Sequence, residues 1–371
     1  MIVIFILLLI AGFCPYPADN HWVWQQLEGF IAILSGMSYC LCKKYHWSVA
    51  LLFLISSLWG LFQYFFPYGL FTGITRIEAA QWGSSICGAT MTTLLFAIPF
   101  ISLDRKYLDK LMSALYWIFG LDALIMIAKA CLFGSQSAWY LFVHPSVDSS
   151  VIACILPAII SLKKKEEGVN FIFLTLGFMA IYLGHSSTAM ACLGVGTIAY
   201  YLSKKRSLKP LLLVPVAAGI AWVFLQDKLL ESDGRFYEWK LQMHYWWEHL
   251  NRYIGAGPGT FFILGPRIQF LSFTGPVDPH YPIFFWLHND WLQVLWEQGI
   301  VGFVSLVMLY LFMLKKSFNR PWLFSMVCAY GFMGLTQFPL RLFFMQLFGC
   351  ALVYECFKIT TEEERDYGRI S

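Results

Sequence analysis

His288-Asn289-Asp290 opens an apolar stretch that continues Trp291-Leu292-Gln293-Val294-Leu295-Trp296-Glu297-Gln298-Gly299-Ile300-Val301-Gly302. An imidazole changes charge near neutral pH, so His288 is a candidate for catalytic proton transfer. If the stretch is one helix, Leu295, Gly299 and Gly302 fall within about 40° of the His288 face, with the glycines beginning roughly 16 Å deeper. Small residues there would let a neighbouring helix approach closely and fix where the imidazole points. The alternative is a histidine that only hydrogen-bonds at a membrane boundary. Asp290 reads as a cap at the start of the helix. Glu297 shares the face of Asp290 and is the rarer feature, an acid deep within an apolar segment.

Upstream lie several cations. Arg235, Arg252 and Arg267 carry guanidinium groups that bind phosphate oxygens bidentately. Arg76, with Glu78 nearby, is a further candidate. Headgroup contact or salt bridging is the competing role for each. Gly255, Gly257 and Gly259, in Ile254-Gly255-Ala256-Gly257-Pro258-Gly259-Thr260-Phe261, allow either an amide cradle for phosphate or a structural turn. In segment 235–251, Trp239, Met243, Trp246, Trp247 and Leu250 form an apolar stripe, with Lys240, His244 and Glu248 on another face. That spacing predicts an amphipathic helix lying in a membrane interface. No Asp-x-Asp occurs, and His244 and His249 are poorly aligned as a pair, so no metal and no other cofactor is expected.

These residues must be held by a chain of unusual composition. Of 371 residues, 58% are hydrophobic and 13% charged, against roughly 25% charged in an ordinary soluble domain. With a mean hydropathy of +0.62, this excludes an ordinary soluble protein, a disordered chain and a collagen-like one. The net charge of +4 carries no inference to nucleic acid. The ten cysteines fall in or beside apolar blocks, against a disulfide scaffold or a zinc cage. Residues 1–14 lack a basic start and read as a short membrane helix, not a signal peptide.

Apolar spans near 1–14, 22–42, 48–66, 85–103, 111–133, 148–162, 169–183, 188–203, 210–225, 288–314, 322–338 and 341–357 predict an all-α polytopic membrane protein of about twelve helices, with a range of 10–12. With the N-terminus cytoplasmic, the inner side receives 18 cations, from Lys43 and Lys44 to Lys358, Arg365 and Arg369. The outer side receives seven, including Arg76, Arg235, Arg252, Arg267 and Arg341, and Lys129 lies within a span with Asp122. That asymmetry places both termini inside. The expectation is a single membrane domain over 1–371, a long helical outer loop at 226–287 and a cytoplasmic tail at 358–371. Asp122 and Lys129 read first as helix-packing charges. Any chemistry then belongs on the outer face.

His288-Asn289, nine residues, then Gly299-x-x-Gly302 resembles the signature of bacterial O-antigen ligases and the related O-antigen polymerases and protein O-oligosaccharyltransferases. Gly234-Arg235 followed by Trp239, and the Gly255 to Phe261 turn, resemble the loop pattern of the same family, so the likeness covers roughly 185–302. Where the family often has Ser-Arg-Gly, this chain reads His185-Ser186-Ser187-Thr188. The resemblance implies a metal-independent glycosyltransferase in the bacterial inner membrane. It would move a glycan from undecaprenyl pyrophosphate to an acceptor hydroxyl, on lipid A-core or a similar lipid or glycan, at the periplasmic face. Polymerisation and protein glycosylation are alternatives within the family; a transporter or flippase is the alternative outside it. His288 would serve as base and Arg235 as the pyrophosphate ligand. Arg252, Arg267, Arg76, Gly257 and Gly259 would assist in binding the pyrophosphate, and Asn289, Asp290, Glu297, Gly299 and Gly302 would support the site.

Overall fold

The computed structural model describes residues 120–132, 145–159, 167–184, 186–206, 233–257, 260–272, 287–337 and 339, 345, 348, 349, 352, 353, 355 and 356. Among them every regular element is helical and none is a strand. The expected spans at 1–14, 22–42, 48–66, 85–103 and 210–225, the tail, Arg76, His185 and Gly259 lie outside the described residues.

Residues 120–132 are helical. The longer elements are α1 (Pro145–Ile159), α2 (Glu167–Leu183), α3 (Ser187–Lys205), α4 (Asp233–His249), α5 (Phe261–Ser272), α6 (Asp290–Ser317) and α7 (Pro321–Thr336). Their ends follow from local chemistry. Ser186 caps α3 by accepting the Ala189 amide, and Lys204 and Lys205 in the last turn meet the negative end of the helix dipole. Pro321, whose missing N–H is no loss in a first turn, starts α7. At the far end the Gln337 amide returns to the Met333 carbonyl.

Two groups of helices result. In the bundle, α3 packs on α1 and α7, α1 also meets α2 and α7, and α6 runs against α7. In the second group α4 and α5 pack on each other and on α6 around Trp246, Ala256, Phe261, Leu264, Ile268, Leu287 and Trp296.

By length and composition α6 is the one described helix long and apolar enough to cross a membrane. It is not straight. Gly299 has φ 66° and ψ −167°, a non-helical conformation open essentially only to glycine. On a straight helix Trp291 and Tyr310 would stand about 28 Å apart, yet their rings lie 5.3 Å apart. Trp291 also stacks edge-on to Phe303 at 6.5 Å. The short arm, 290–298, therefore folds back along the long arm, 300–317. Both arms are tied to α7: Trp291 Nε1 donates to the Gly331 carbonyl at 3.1 Å and Tyr310 Oη to that of Val327 at 3.1 Å. This corrects the expectation of one continuous span at 288–314 with His288 and the two glycines on a single stripe.

The apolar stripe expected on α4 also has a different destination. Trp246 is buried, and Trp239, Met243 and Leu250 pack against the same cluster, so the stripe faces α5 and α6. Trp247 departs from it, at 52% exposure on the outward face with Phe236 and Tyr237.

Candidate functional site

The site begins with a left-handed residue. His288 has φ 50°, which for a non-glycine residue costs about 1–2 kcal/mol and must be held by its surroundings. It stands two residues ahead of α6, outside the helix. Asn289, not Asp290, is the N-cap: its backbone is extended and its Oδ1 accepts the Leu292 amide at 3.0 Å. Asp290 is the first helical residue and is buried.

Leu287, the residue preceding His288, is held through both of its backbone groups. Trp239 Nε1, from α4, donates to the Leu287 carbonyl. Gln293 Oε1, from the first turns of α6, accepts the Leu287 amide at 3.3 Å. Gln293 Nε2 in turn donates to Glu297 Oε1 at 3.1 Å, all within buried surroundings. Burial is what gives these bonds their directing power, since water does not compete for the same donors.

Arg235, on the first turn of α4, donates to the Thr336 carbonyl at the end of α7 at 3.4 Å. Its burial lowers its pKa. The guanidinium is also close enough to act on His288, whose pKa is lowered to about 4, first by burial and then by the Arg235 charge. At neutral pH the imidazole is thus uncharged, and it is a weaker base than an ordinary histidine. Of the sequence candidates, Arg235 is the one whose charge reaches His288, and Asn289 and Asp290 follow His288 directly in the chain.

The other candidates are elsewhere or otherwise engaged. Arg252 is exposed, stacked 3.6 Å from the Trp247 ring centroid, with its Nε donating to the Trp247 carbonyl. Arg267 is exposed on α5. The Gly257 amide donates to the Glu297 carbonyl at 2.7 Å, and that of Ala256 to Trp296 at 3.0 Å. In the reverse direction the Ile300 amide donates to Arg252 at 2.9 Å and that of Val301 to Tyr253 at 3.3 Å. The turn thus supplies the backbone partners that α6 loses at its break. A Cβ on Gly255 would lie 2.5 Å from the Glu297 oxygen, and one on Gly299 2.3 Å from the Tyr253 carbonyl, so each glycine is required by the other's approach. At Gly299 the close neighbour is this turn, where the sequence suggested a helix. At Gly302 a Cβ would meet the Gln298 side chain at 2.3 Å.

Two polar pairs escaped the sequence reading. Gln293 stands four residues before Glu297. Glu238 stands four before Gln242, whose Nε2 donates to Glu238 Oε1 at 2.7 Å and to the Gly265 carbonyl at 3.0 Å. Burial raises the Glu238 pKa to about 7, the bond from Gln242 opposing it. The signal was there: an acid and an amide one helical turn apart in apolar company. Among the described residues no group of three or more His, Cys, Asp or Glu side chains is arranged to hold a metal ion. Compared with known proteins, the sequence matches no family model and no curated protein.

Proposed function

We propose that this chain is a polytopic bacterial inner-membrane glycosyltransferase of the O-antigen ligase type, with about twelve spans and its site on the periplasmic face. The observation that carries the reading is that half-buried Arg235, at the start of α4, and His288, just ahead of α6, come from different elements and stand near enough for the arginine charge to lower the histidine pKa. The acceptor oxygen forms a bond to the anomeric carbon as the bond from that carbon to the pyrophosphate oxygen breaks. The acceptor proton passes to the His288 imidazole. The electron pair leaves with the polyprenyl pyrophosphate, whose charge Arg235 offsets. No metal ion is needed in this scheme.

The inside-out distribution of side chains supports a lipid surrounding. Ile300, Val304, Met308 and Leu311 form an exposed apolar stripe on the long arm of α6, while Asp122, Ser149, Ser150, Gln293 and Glu297 are buried. Interrupted helices are also common in transporters, where freed carbonyls coordinate cargo. Here the carbonyls of Trp296 and Glu297 at the break accept amides from the 251–257 turn, which favours a structural role.

The test is purified protein in detergent, given an undecaprenyl-pyrophosphate-linked oligosaccharide and a lipid A-core acceptor. Glycan transfer that persists in EDTA is the expected outcome. Failure with every lipid or glycan acceptor tried, or loss in EDTA with rescue by magnesium, would overturn the reading.

A further inference from the structure

We propose that Trp239 and Gln293 are positioning residues for His288, acting through the backbone of the residue that precedes it; this rests on the assignment of His288 as the proton acceptor. A left-handed histidine just before a helix is easily lost, because relaxing to ordinary backbone angles would swing the imidazole away from its neighbours. The Leu287 backbone is where such a swing must start. Its carbonyl is bound by an indole N–H from α4 and its amide by an amide oxygen from α6.

The two anchors belong to the same elements as the reacting groups. Trp239 is one turn along α4 from Arg235, and Gln293 is one turn into the helix that His288 precedes. Any movement of α4 that carries Arg235 also carries the anchor on Leu287, so arginine and imidazole stay in register. The Trp239 ring is itself held edge-on to Phe236 at 5.1 Å and packs on the buried cluster. Gln293 is fixed at its other end by Glu297. Glu297 thereby acts on the site at one remove, as the support of a support.

Two variants isolate the hydrogen bonds from the packing. Trp239→Phe keeps an aromatic ring and removes the donor. Gln293→Met keeps the length and removes the acceptor. Each is tested as full-length protein in detergent, for transfer kinetics with the undecaprenyl-linked donor and for the rate at which diethyl pyrocarbonate carbethoxylates His288, read by mass spectrometry. Exposed His244 and His249 on α4 are the internal references. The expected result is a fall in kcat of roughly 10-fold with donor KM changed less than about twofold. The modification rate at His288 should rise against both references.

If His288→Ala abolishes transfer while Trp239→Phe and Gln293→Met keep normal kcat and normal His288 protection, the positioning roles are wrong and the catalytic assignment stands. If His288→Ala transfers normally, the catalytic assignment fails, and the positioning proposal falls with it.

Discussion

Where α1, α3 and α7 meet, the buried side chains are mostly small or aliphatic: Ala153, Cys154, Ala189, Cys192, Ala199 and Ala329. The assembly of α4, α5 and the short arm of α6 instead buries Glu238, Gln242, Gln269, Gln293, Glu297 and Gln298 beside Trp246 and Trp296. Small residues let backbones approach and gain dispersion contact, without specifying the position of any one group. Long amides and carboxyls desolvated together hold particular atoms in particular places, because leaving any of them unmatched is costly. The bundle supplies a frame, and the α4–α5 assembly supplies aim. The pair proposed to react belongs to both, Arg235 reaching the last turn of α7 and His288 leading into α6.

The contrast breaks first at the reacting pair. His288→Ala should lower transfer by about 10²–10⁴-fold with folding intact, and Arg235→Lys should also lose substantially, since a point charge cannot reproduce a bidentate fork. Because the imidazole must be uncharged, transfer in the parent protein should persist until pH falls through about 4, well below the ordinary histidine value of 6.5. In residual activity measured for Arg235→Gln, that acid limb should move upward, as a neighbouring positive charge has been removed.

Next in size is the break in α6 against an open glycine in the bundle. Gly299→Ala places a Cβ into the Tyr253 backbone in a conformation closed to alanine, and should cost about 3 kcal/mol or more in unfolding in detergent. A Cβ on Gly194 in α3 meets nothing within 4 Å, so Gly194→Ala should be neutral or stabilising by up to about 1 kcal/mol. Equal losses from both would remove the distinction between the regions.

Glu238 gives a pH-dependent version of the same contrast. Its folded pKa is about 7 against an ordinary 4.5, so the folded state holds the proton more tightly. The protein is most stable with respect to this group below pH 4.5 and loses stability as pH rises through 7, by about 3 kcal/mol in all. Glu238→Gln should abolish that part of the slope. Unfolding in detergent between pH 4.5 and 8, with and without the substitution, checks it.

Much of this was legible and some was not. Apolar blocks and flanking lysines mark α1, α2, α3 and α7 to within a few residues, because a helix in an apolar setting must satisfy its own backbone and shows as a length. His288 and Arg235 stand out in the sequence as candidates through residue type, spacing and a resemblance. The fold-back at Gly299 was not, since hydropathy counts residues and is blind to the angle of one of them. Nor was the use of Gly257, because an amide offered to phosphate and one offered to a carbonyl need the same glycine. Gln293 and Trp239 act through backbone atoms of Leu287, and a residue's own letters say nothing about who binds its peptide.

The stitched break in α6 also constrains the order in which the molecule is made. The strip that supplies its replacement partners, 251–257, is synthesised before 290–317, so a template is waiting when the apolar hairpin leaves the ribosome. A chain permuted to begin at residue 287 would present the hairpin first, with four backbone groups at the break lacking these partners. On the proposed membrane reading, such a permutant should insert the 28 residues of Asp290–Ser317 as one straight span and carry the segments that follow to the opposite side of the bilayer.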